Sequence, residues 1–261
     1  MIAAIDIGNT NITVAFVEND QVINSYRLTT KLQRTSDEYG LYFRSFLDDA
    51  QKQVSDIEDV LVSTVVPKIM YSFNHAIKKY LKHTPININA SSNSGITIKT
   101  DQPSSVGADR IVDAAGAFYT YGGPCLVIDF GTATTFDYVS EKGEFLYGIT
   151  APGLEITAQA LSSMAAQLPE IEIKKPDSIL TKNTISSMQA GVVYGYIGLT
   201  KEIISQVKKE IGTPMKVIAT GGLGRMISEE LACIDTYDKD LTFKGLMWIY
   251  HHIKETPAAL K

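Results

Sequence analysis

A repeated strand–turn–strand segment constrains the fold of this chain more than any other feature of its sequence. The segment AIDIGNTNITVAFV begins at Ala4, and the similar segment VIDFGTATTFDYV begins at Val127. Each has an apolar strand, an Asp, one apolar residue, a Gly and a small polar cluster before the next strand, so Asp6 corresponds to Asp129, 123 residues later. Apolar runs on both sides of turn residues predict a β-hairpin. The sequence therefore predicts a duplicated α/β fold.

The repeat also predicts where the chain divides. We expect two domains, 1–120 and 121–261, because each half opens with the hairpin and continues into apolar segments of helical period. The longest predicted helix, 186–211, carries Gly191, Gly195 and Gly198 on one face. Each Gly costs a helix about 1 kcal/mol relative to Ala. This face therefore indicates close approach of another segment, either inside the monomer or from a second subunit.

Composition and charge exclude several classes of protein. The 261 residues are 44% hydrophobic and 20% charged, as in a globular protein, and the net charge of −5 gives no bulk attraction for nucleic acid or an anionic membrane. No apolar run approaches the roughly 20 residues that span a bilayer, and the N-terminus lacks the basic region of a signal peptide. Two cysteines give no disulfide framework. We expect a cytoplasmic enzyme with no membrane and no nucleic-acid partner.

Glycine-bearing turns after apolar strands indicate where a phosphate could bind. Such turns occur at Gly8, at Gly131 and at Gly221-Gly222. Glycine lets the backbone approach a ligand and leaves amide N–H groups pointing outward, and an Asp before the turn can hold a cation. One turn alone is common at strand ends. The repetition, however, predicts two turns that hold a triphosphate and its Mg²⁺, although the chain has neither a P-loop nor a Gly-x-Gly-x-x-Gly motif.

The tetrapeptide Gly107-Ala-Asp-Arg110 opens a predicted helix and allows two interpretations. Asp109 could simply complement the helix dipole, beside a solvated Arg110. Alternatively, Asp109 takes the proton of an attacking hydroxyl while Arg110 binds a substrate carboxylate through its planar fork. The second arrangement suits phosphoryl transfer, in which the protein mainly positions groups and neutralises charge.

Taken in order, these motifs resemble those of the type III pantothenate kinases, in the superfamily of acetate and sugar kinases, Hsp70 and actin. The resemblance runs the length of the chain and includes Asp6-Ile-Gly-Asn-Thr10, Gly107-Ala-Asp-Arg110, Asp129-Phe-Gly-Thr-Ala-Thr-Thr135, Ala151-Pro-Gly153, Lys182-Asn-Thr184, Met188-Gln-Ala-Gly191, Thr220-Gly-Gly222 and Asp240-Leu-Thr-Phe-Lys-Gly-Leu246. It implies two ribonuclease H-like (actin-like ATPase) domains with mixed sheets and a nucleotide cleft between them.

The resemblance also implies an activity and a set of site residues. The activity is ATP-dependent phosphorylation of pantothenate to 4′-phosphopantothenate, the first step of coenzyme A synthesis, by a homodimer that needs Mg²⁺ and K⁺ or ammonium. Asp109 is the expected catalytic base. The expected pantothenate-binding residues are Gly107, Ala108, Asp109, Arg110, Thr184 and Thr100, the last standing where many relatives have Tyr. The expected ATP-binding residues are Asp6, Ile7, Gly8, Asn9, Thr10, Asn11, Ile12, Thr13 and Thr132, and Asp129 is expected to bind the monovalent cation.

Two other functions remain open on the sequence. One is a regulator of the same fold that binds nucleotide without catalysis, and the other is a different small-molecule kinase or phosphatase of the superfamily. A pure binding protein does not need a base beside a carboxylate clamp, so Asp109 and Arg110 favour the kinase.

Overall fold

Two α/β units make up the computed structural model, which describes residues 1–256. The first unit contains Met1–Thr120 and the chain from Asp240 onwards, and the second contains Tyr121–Lys239. The chain thus divides beside residue 120. The expected second domain, 121–261, is too long, because the chain returns to the first unit at Asp240.

The first unit is built on a mixed five-stranded sheet. Its strands, in the spatial order β3-β2-β1-β4-β5, are β3 (Gln21–Thr29), β2 (Asn11–Glu18), β1 (Ile2–Ile7), β4 (Asp59–Thr64) and β5 (Ile86–Ile88). The first three strands are antiparallel neighbours, whereas β4 runs parallel to β1 and β5 runs parallel to β4. The run of buried apolar residues in β1 and β4 is typical of central strands covered on both faces.

Helices α1 (Ser36–Asp49) and α2 (Met70–Ala76) cover one face of this sheet, where Phe16, Phe43 and Phe73 are buried in one core. Thr35 caps α1 in a reciprocal capping box with Glu38, which fixes where that helix starts. Helix α2 is preceded by a 3₁₀ turn, Pro67–Ile69, and continues into one π-helical turn, Ile77–Leu81. A two-residue strand, β6 (Thr97–Ile98), and helix α3 (Ala108–Tyr121) follow.

The second unit repeats the sheet of the first. Its strands are β7 (Cys125–Phe130), β8 (Ala133–Val139), β9 (Glu144–Pro152), β10 (Lys216–Thr220) and β11 (Thr236–Tyr237). Their spatial order, β9-β8-β7-β10-β11, matches β3-β2-β1-β4-β5 strand for strand, with the same two antiparallel and two parallel pairings. This equivalence confirms the predicted duplicated, ribonuclease H-like α/β fold.

Three helices belong to the second unit: α4 (Leu154–Met164), α5 (Thr184–Ile211) and α6 (Gly224–Ser228). The sequence predicted neither α4 nor β9. In both elements several large apolar residues are exposed, such as Ile149 and Met164, so no clean buried face marks them. Among residues 1–256, no helix has the length and apolar character needed to cross a membrane.

The glycine face of α5 is open. Within the described chain, a Cβ added at Gly191, Gly195 or Gly198 would meet no atom within 4 Å, and all three residues are exposed. The interpretation that this face packs tightly inside the monomer is therefore wrong.

Helix α7 (Leu241–Glu255) explains why the chain returns to the first unit. It packs so closely on α3 that a Cβ at Gly116 would lie 2.6 Å from the carbonyl oxygen of Leu241, and a Cβ at Gly245 would collide with the carbonyl of Val112. Thr242 also donates a 2.7 Å hydrogen bond to the buried Asp113. Backbone contacts of this kind need glycine on both helices, and they anchor α7 to the first unit.

Candidate active site

Two carboxylates, of Asp6 and Asp109, form the centre of the candidate site in the first unit. Asp6 is the penultimate residue of β1, opposite Thr13 on β2 and beside Ser63 on β4. Burial, reinforced by the negative charge of Asp109, raises the pKa of Asp6 to about 7, although the nearby Ser63 hydroxyl acts in the opposite direction. The two aspartates came from different motifs in the sequence, and the fold makes them electrostatic neighbours.

Asp109 is the second residue of α3, and its carboxylate is held against the start of the helix. Its Oδ1 accepts the backbone N–H of Arg110 at 2.8 Å. Burial raises the pKa of Asp109, and the hydrogen bond and charge of Arg110 offset only part of that effect. A Cβ at Gly107 would collide with this same Oδ1, so glycine at this position leaves room for the carboxylate. The carboxylate does bond the first turn of the helix, but a half-buried carboxylate beside a second one is unlike an ordinary solvated cap.

A pocket of about 630 Å³ adjoins Gly107 and Ala108. It lies where β4 ends, between the segment after β5 and the segment before α3. Its lining contains no charged residue and consists of Thr64, Val65, Asn89, Ala90, Ser91, Pro103, Ser104, Ser105, Val106, Gly107 and Ala108. No sequence motif marks Thr64 or 89–91 as site residues. The signal is topological: β1, β4 and β5 are parallel, so the carboxyl ends of these strands meet at one edge of the sheet. Ligands of α/β sheets commonly bind at such an edge.

Three expected substrate residues of the first unit, Thr100, Asp109 and Arg110, stand outside that lining. Thr100 follows β6, and its Oγ1 is buried without a hydrogen-bond partner among the described residues. Arg110 is half-buried in the first turn of α3. The lining thus contains only Gly107 and Ala108 of the residues expected to bind substrate.

The first glycine turn, between β1 and β2, is held by its own backbone and by a residue that the sequence analysis missed. Gly8 donates its N–H to the carbonyl of Asn11 at 3.0 Å. Thr30, buried just after β3, donates its N–H to the carbonyl of Thr10 at 2.9 Å and its hydroxyl to the carbonyl of Gly8 at 2.8 Å. Asn9 and Asn11 remain exposed in the turn. No local pattern marks Thr30, since its role arises only when β3 pairs with β2.

In the second unit, Asp129 is the structural counterpart of Asp6. It is the penultimate residue of β7, opposite Thr135 on β8 and beside Thr220 on β10. A Cβ at Gly221 would lie 2.6 Å from Asp129 Oδ1, and a Cβ at Gly131 would lie 3.0 Å from Oδ2, so two glycines border the carboxylate. Gly221 also has a φ of +94°, a backbone conformation that favours glycine.

The second glycine turn contains Thr132, which is exposed between β7 and β8. The carbonyl of Thr132 accepts the N–H of Gly153 at 3.2 Å, just as the carbonyl of Thr10 accepts that of Thr30. Thr184, expected to bind substrate, is the exposed first residue of α5, whose cap is Asn183. Both threonines belong to the second unit.

The carboxylates of Asp6, Asp109 and Asp129 limit which metal ions each unit could bind. Within residues 1–256, no group of three or more His, Cys, Asp or Glu side chains comes together as a metal site. Mg²⁺ commonly uses one or two carboxylates together with substrate phosphates. The Asp6–Asp109 pair fits that pattern, and Asp129 offers one carboxylate to another hard cation.

Comparisons with known proteins show the family of this chain. A family model described as type III pantothenate kinase matches residues 2–206. The chain is 54% identical to the type III pantothenate kinase of Agathobacter rectalis over 251 residues, which cover 96% of each chain. It is 48% identical to the protein of that name from Bifidobacterium longum subsp. infantis, over 96% of this chain and 98% of the relative.

A solved structure is similar over nearly the whole chain. It is a Campylobacter jejuni protein assigned to the Baf family of transcriptional activators, with 21% sequence identity, a TM-score of 0.59 and coverage of 98% of both chains. At this identity the likeness concerns the fold alone.

Proposed function

This chain belongs to the type III pantothenate kinase family, and from that membership we propose that it transfers a phosphoryl group from ATP to pantothenate. The product is 4′-phosphopantothenate, and the reaction is the first step of coenzyme A synthesis. The observation that carries the proposal is 54% identity to a relative of that name over 96% of the chain. The pair of half-buried carboxylates in the first unit supports it independently, because it supplies a base and a cation ligand.

Asp109 acts as the general base. It accepts the proton of the primary hydroxyl of pantothenate while that oxygen forms its bond to the γ-phosphorus of ATP, and the bond from this phosphorus to the β-phosphate oxygen breaks to release ADP. A base works best when its pKa lies near the operating pH. Burial raises the pKa of Asp109, which supports this role.

Pantothenate binds at the start of α3. Arg110 pairs with the substrate carboxylate, because a planar guanidinium can donate two parallel hydrogen bonds to it. The uncharged polar lining of the 630 Å³ pocket beside Gly107 suits the amide and hydroxyl groups of the substrate. Thr100 and Thr184 complete the proposed binding residues, and the buried, unpartnered hydroxyl of Thr100 leaves it able to bond a ligand.

ATP binds through the two glycine turns. In the first unit the turn residues 6–13 offer backbone amides and side-chain donors, and in the second unit Thr132 does so. Asp6 would hold the Mg²⁺ that accompanies the phosphates. When bound, this ion would neutralise part of the phosphate charge. Asp129 holds the monovalent cation, K⁺ or ammonium, supported by the position of its carboxylate between Gly131 and Gly221.

The functional form is a cytoplasmic homodimer. The support for association is the glycine face of α5, which is exposed in the chain and allows close approach by a second copy. Light scattering of the purified chain measures its mass in solution, and a monomer would contradict this part of the proposal.

One assay tests the activity. The purified chain is incubated with ATP, Mg²⁺, K⁺ and pantothenate, and 4′-phosphopantothenate is sought by mass spectrometry, with K⁺ replaced by Na⁺ in a parallel reaction. Formation of product supports the kinase. Absence of product would favour the regulator that binds nucleotide without catalysis.

A further inference from the structure

The two glycine turns are equivalent in topology, but different side chains hold them. In the first unit, Thr30 anchors the turn through both its N–H and its hydroxyl. Its counterpart in the second unit is Gly153, which supplies only the N–H. A larger residue cannot stand there, because a Cβ on Gly153 would collide with the carbonyl of Thr132 and lie 2.5 Å from that of Gly131. The second turn therefore needs its side-chain anchor from another element.

Tyr196, in the middle of α5, occupies that role. Its hydroxyl lies 2.5 Å from Thr134 Oγ1 and 2.9 Å from the carbonyl oxygen of Pro152. Thr134 and Pro152 are the residues on β8 and β9 that flank the turn and its neighbour Gly153. Both Tyr196 and Thr134 are buried, and the Tyr196 ring lies near Phe130, just before the turn.

The direction of the two hydrogen bonds follows from the groups involved. A carbonyl oxygen can only accept, so the Tyr196 hydroxyl donates its single proton to Pro152. The Thr134 hydroxyl then donates to Tyr196 Oη, an interaction that acts to lower the pKa of Tyr196 against the larger effect of burial. If the Tyr196 oxygen is removed, the buried Thr134 hydroxyl and the Pro152 carbonyl both lose this hydrogen-bond partner. Such a loss is costly in a protein interior.

We propose that Tyr196 is a positioning residue for the nucleotide: through Thr134 and Pro152 it sets the shape of the turn 131–133, and thereby the affinity of this enzyme for ATP. The inference rests on the proposed kinase function, in which Thr132 of this turn contacts ATP. Tyr196 itself touches neither substrate nor the reacting atoms in this account.

The test uses variants that keep the packing and remove one oxygen. Tyr196→Phe preserves the ring against Phe130, and Thr134→Val preserves the size of the side chain. We expect each to raise KM for ATP about tenfold with KM for pantothenate unchanged. The double variant should be no worse than the worse single one, since both remove the same interaction. Thr134→Ser, which keeps the hydroxyl, should restore the KM of the parent.

A matched control removes another buried tyrosine hydroxyl of the same sheet. Tyr138 lies near the far end of β8, and its hydroxyl bonds Thr213 rather than the turn. Tyr138→Phe should leave both KM values unchanged, even if it lowers the melting temperature.

Hydrogen exchange supplies a readout that does not require activity. In the protein without ligand, amides of 131–135 should exchange faster in Tyr196→Phe and in Thr134→Val than in the parent, and those of 8–11 should not. This comparison distinguishes failure of the inference from failure of the kinase proposal, because it applies even if no 4′-phosphopantothenate forms. A lower melting temperature with unchanged exchange at 131–135 and unchanged KM for ATP would overturn the inference and leave Tyr196 a purely structural residue.

Discussion

Asp6 and Asp109 are costly to ionise in the folded protein, since burial raises the pKa of both and the charge of Asp109 raises the pKa of Asp6 further. A structural role alone does not require two half-buried carboxylates in one site. The same arrangement is well suited to a cation and to proton transfer, so each aspartate can be examined by removing its charge while keeping its shape.

For Asp109 we predict that Asp109→Asn lowers kcat by about 10²- to 10⁴-fold, because the amide cannot accept the hydroxyl proton. ATP binding, measured by calorimetry, should persist. The control is Asp37→Asn, since Asp37 is an exposed acid in the first turn of α1. It should leave kcat unchanged. If Asp109→Asn lowered only the melting temperature and kept near-normal turnover, Asp109 would be a helix cap and not the base.

For Asp6 we predict a specific dependence of stability on pH. Because the pKa of Asp6 is raised from 3.8 to about 7, the folded protein holds a proton that the unfolded chain has lost. This contribution to stability is therefore fully present below about pH 4 and is lost as the pH rises towards about 7. The variant Asp6→Asn has no ionisable carboxyl at this position, so its stability does not fall with rising pH through this group.

The measurement compares melting temperatures of the two proteins from pH 4 to pH 8 in the presence of a chelator. The difference, variant minus parent, should rise up to about pH 7 and then level. A difference independent of pH would show that Asp6 titrates normally. Asp48→Asn, at an exposed position near the end of α1, serves as the control for the loss of one negative charge.

At the scale of elements, the contact of α7 with α3 decides where the C-terminal helix belongs. The partner of this helix depends on Gly116 and Gly245, which are separated by more than a hundred residues. Helical periodicity identifies an apolar face without saying which surface covers it. The helix could therefore be predicted from the sequence, whereas its place in the first unit could not.

We predict that Gly245→Ala destabilises the protein by at least 1–3 kcal/mol, about the cost of overpacking a core, although Ala favours a helix over Gly. The added methyl group would collide with the backbone of Val112, which cannot rotate away. Urea unfolding measures the effect. Glu255→Ala, at an exposed position of α7, should change stability by less than about 0.5 kcal/mol. Equal stability of Gly245→Ala and the parent would show that α3 and α7 separate easily.

At the scale of the whole molecule, the duplication gives the enzyme two topologically equivalent aspartates, for which we propose different cations. Asp6 lies beside a second carboxylate, whereas glycines border Asp129. We predict that Asp129→Asn shifts the curve of activity against K⁺ to higher concentration and leaves the Mg²⁺ dependence unchanged, because a charge has been removed from a hard oxygen site. The opposite pattern would mean that the two roles are exchanged.

The repeat in the sequence made the duplication of the α/β sheet predictable. Two similar hairpins, at Asp6 and Asp129, sufficed to predict two related sheets, because strand pairing follows from local turns and alternation. The anchors of the turns, Thr30 and Tyr196, were not predictable, since each reaches its turn from a different element through a tertiary contact. The glycine face of α5 was visible in the sequence, but only the structure shows that nothing in the described chain covers it.

The return of α7 to the first unit also has a consequence for the order of synthesis. Chains leave the ribosome from the N-terminus, and domains generally fold as they emerge. Here the segment Tyr121–Lys239 is complete before α7 has been made, whereas the unit that contains Met1–Thr120 lacks this helix until it too has been translated. The half of the molecule that is translated first is thus the last to be finished, and the nascent chain holds Asp6 and Asp109 in an incomplete unit until α7 arrives.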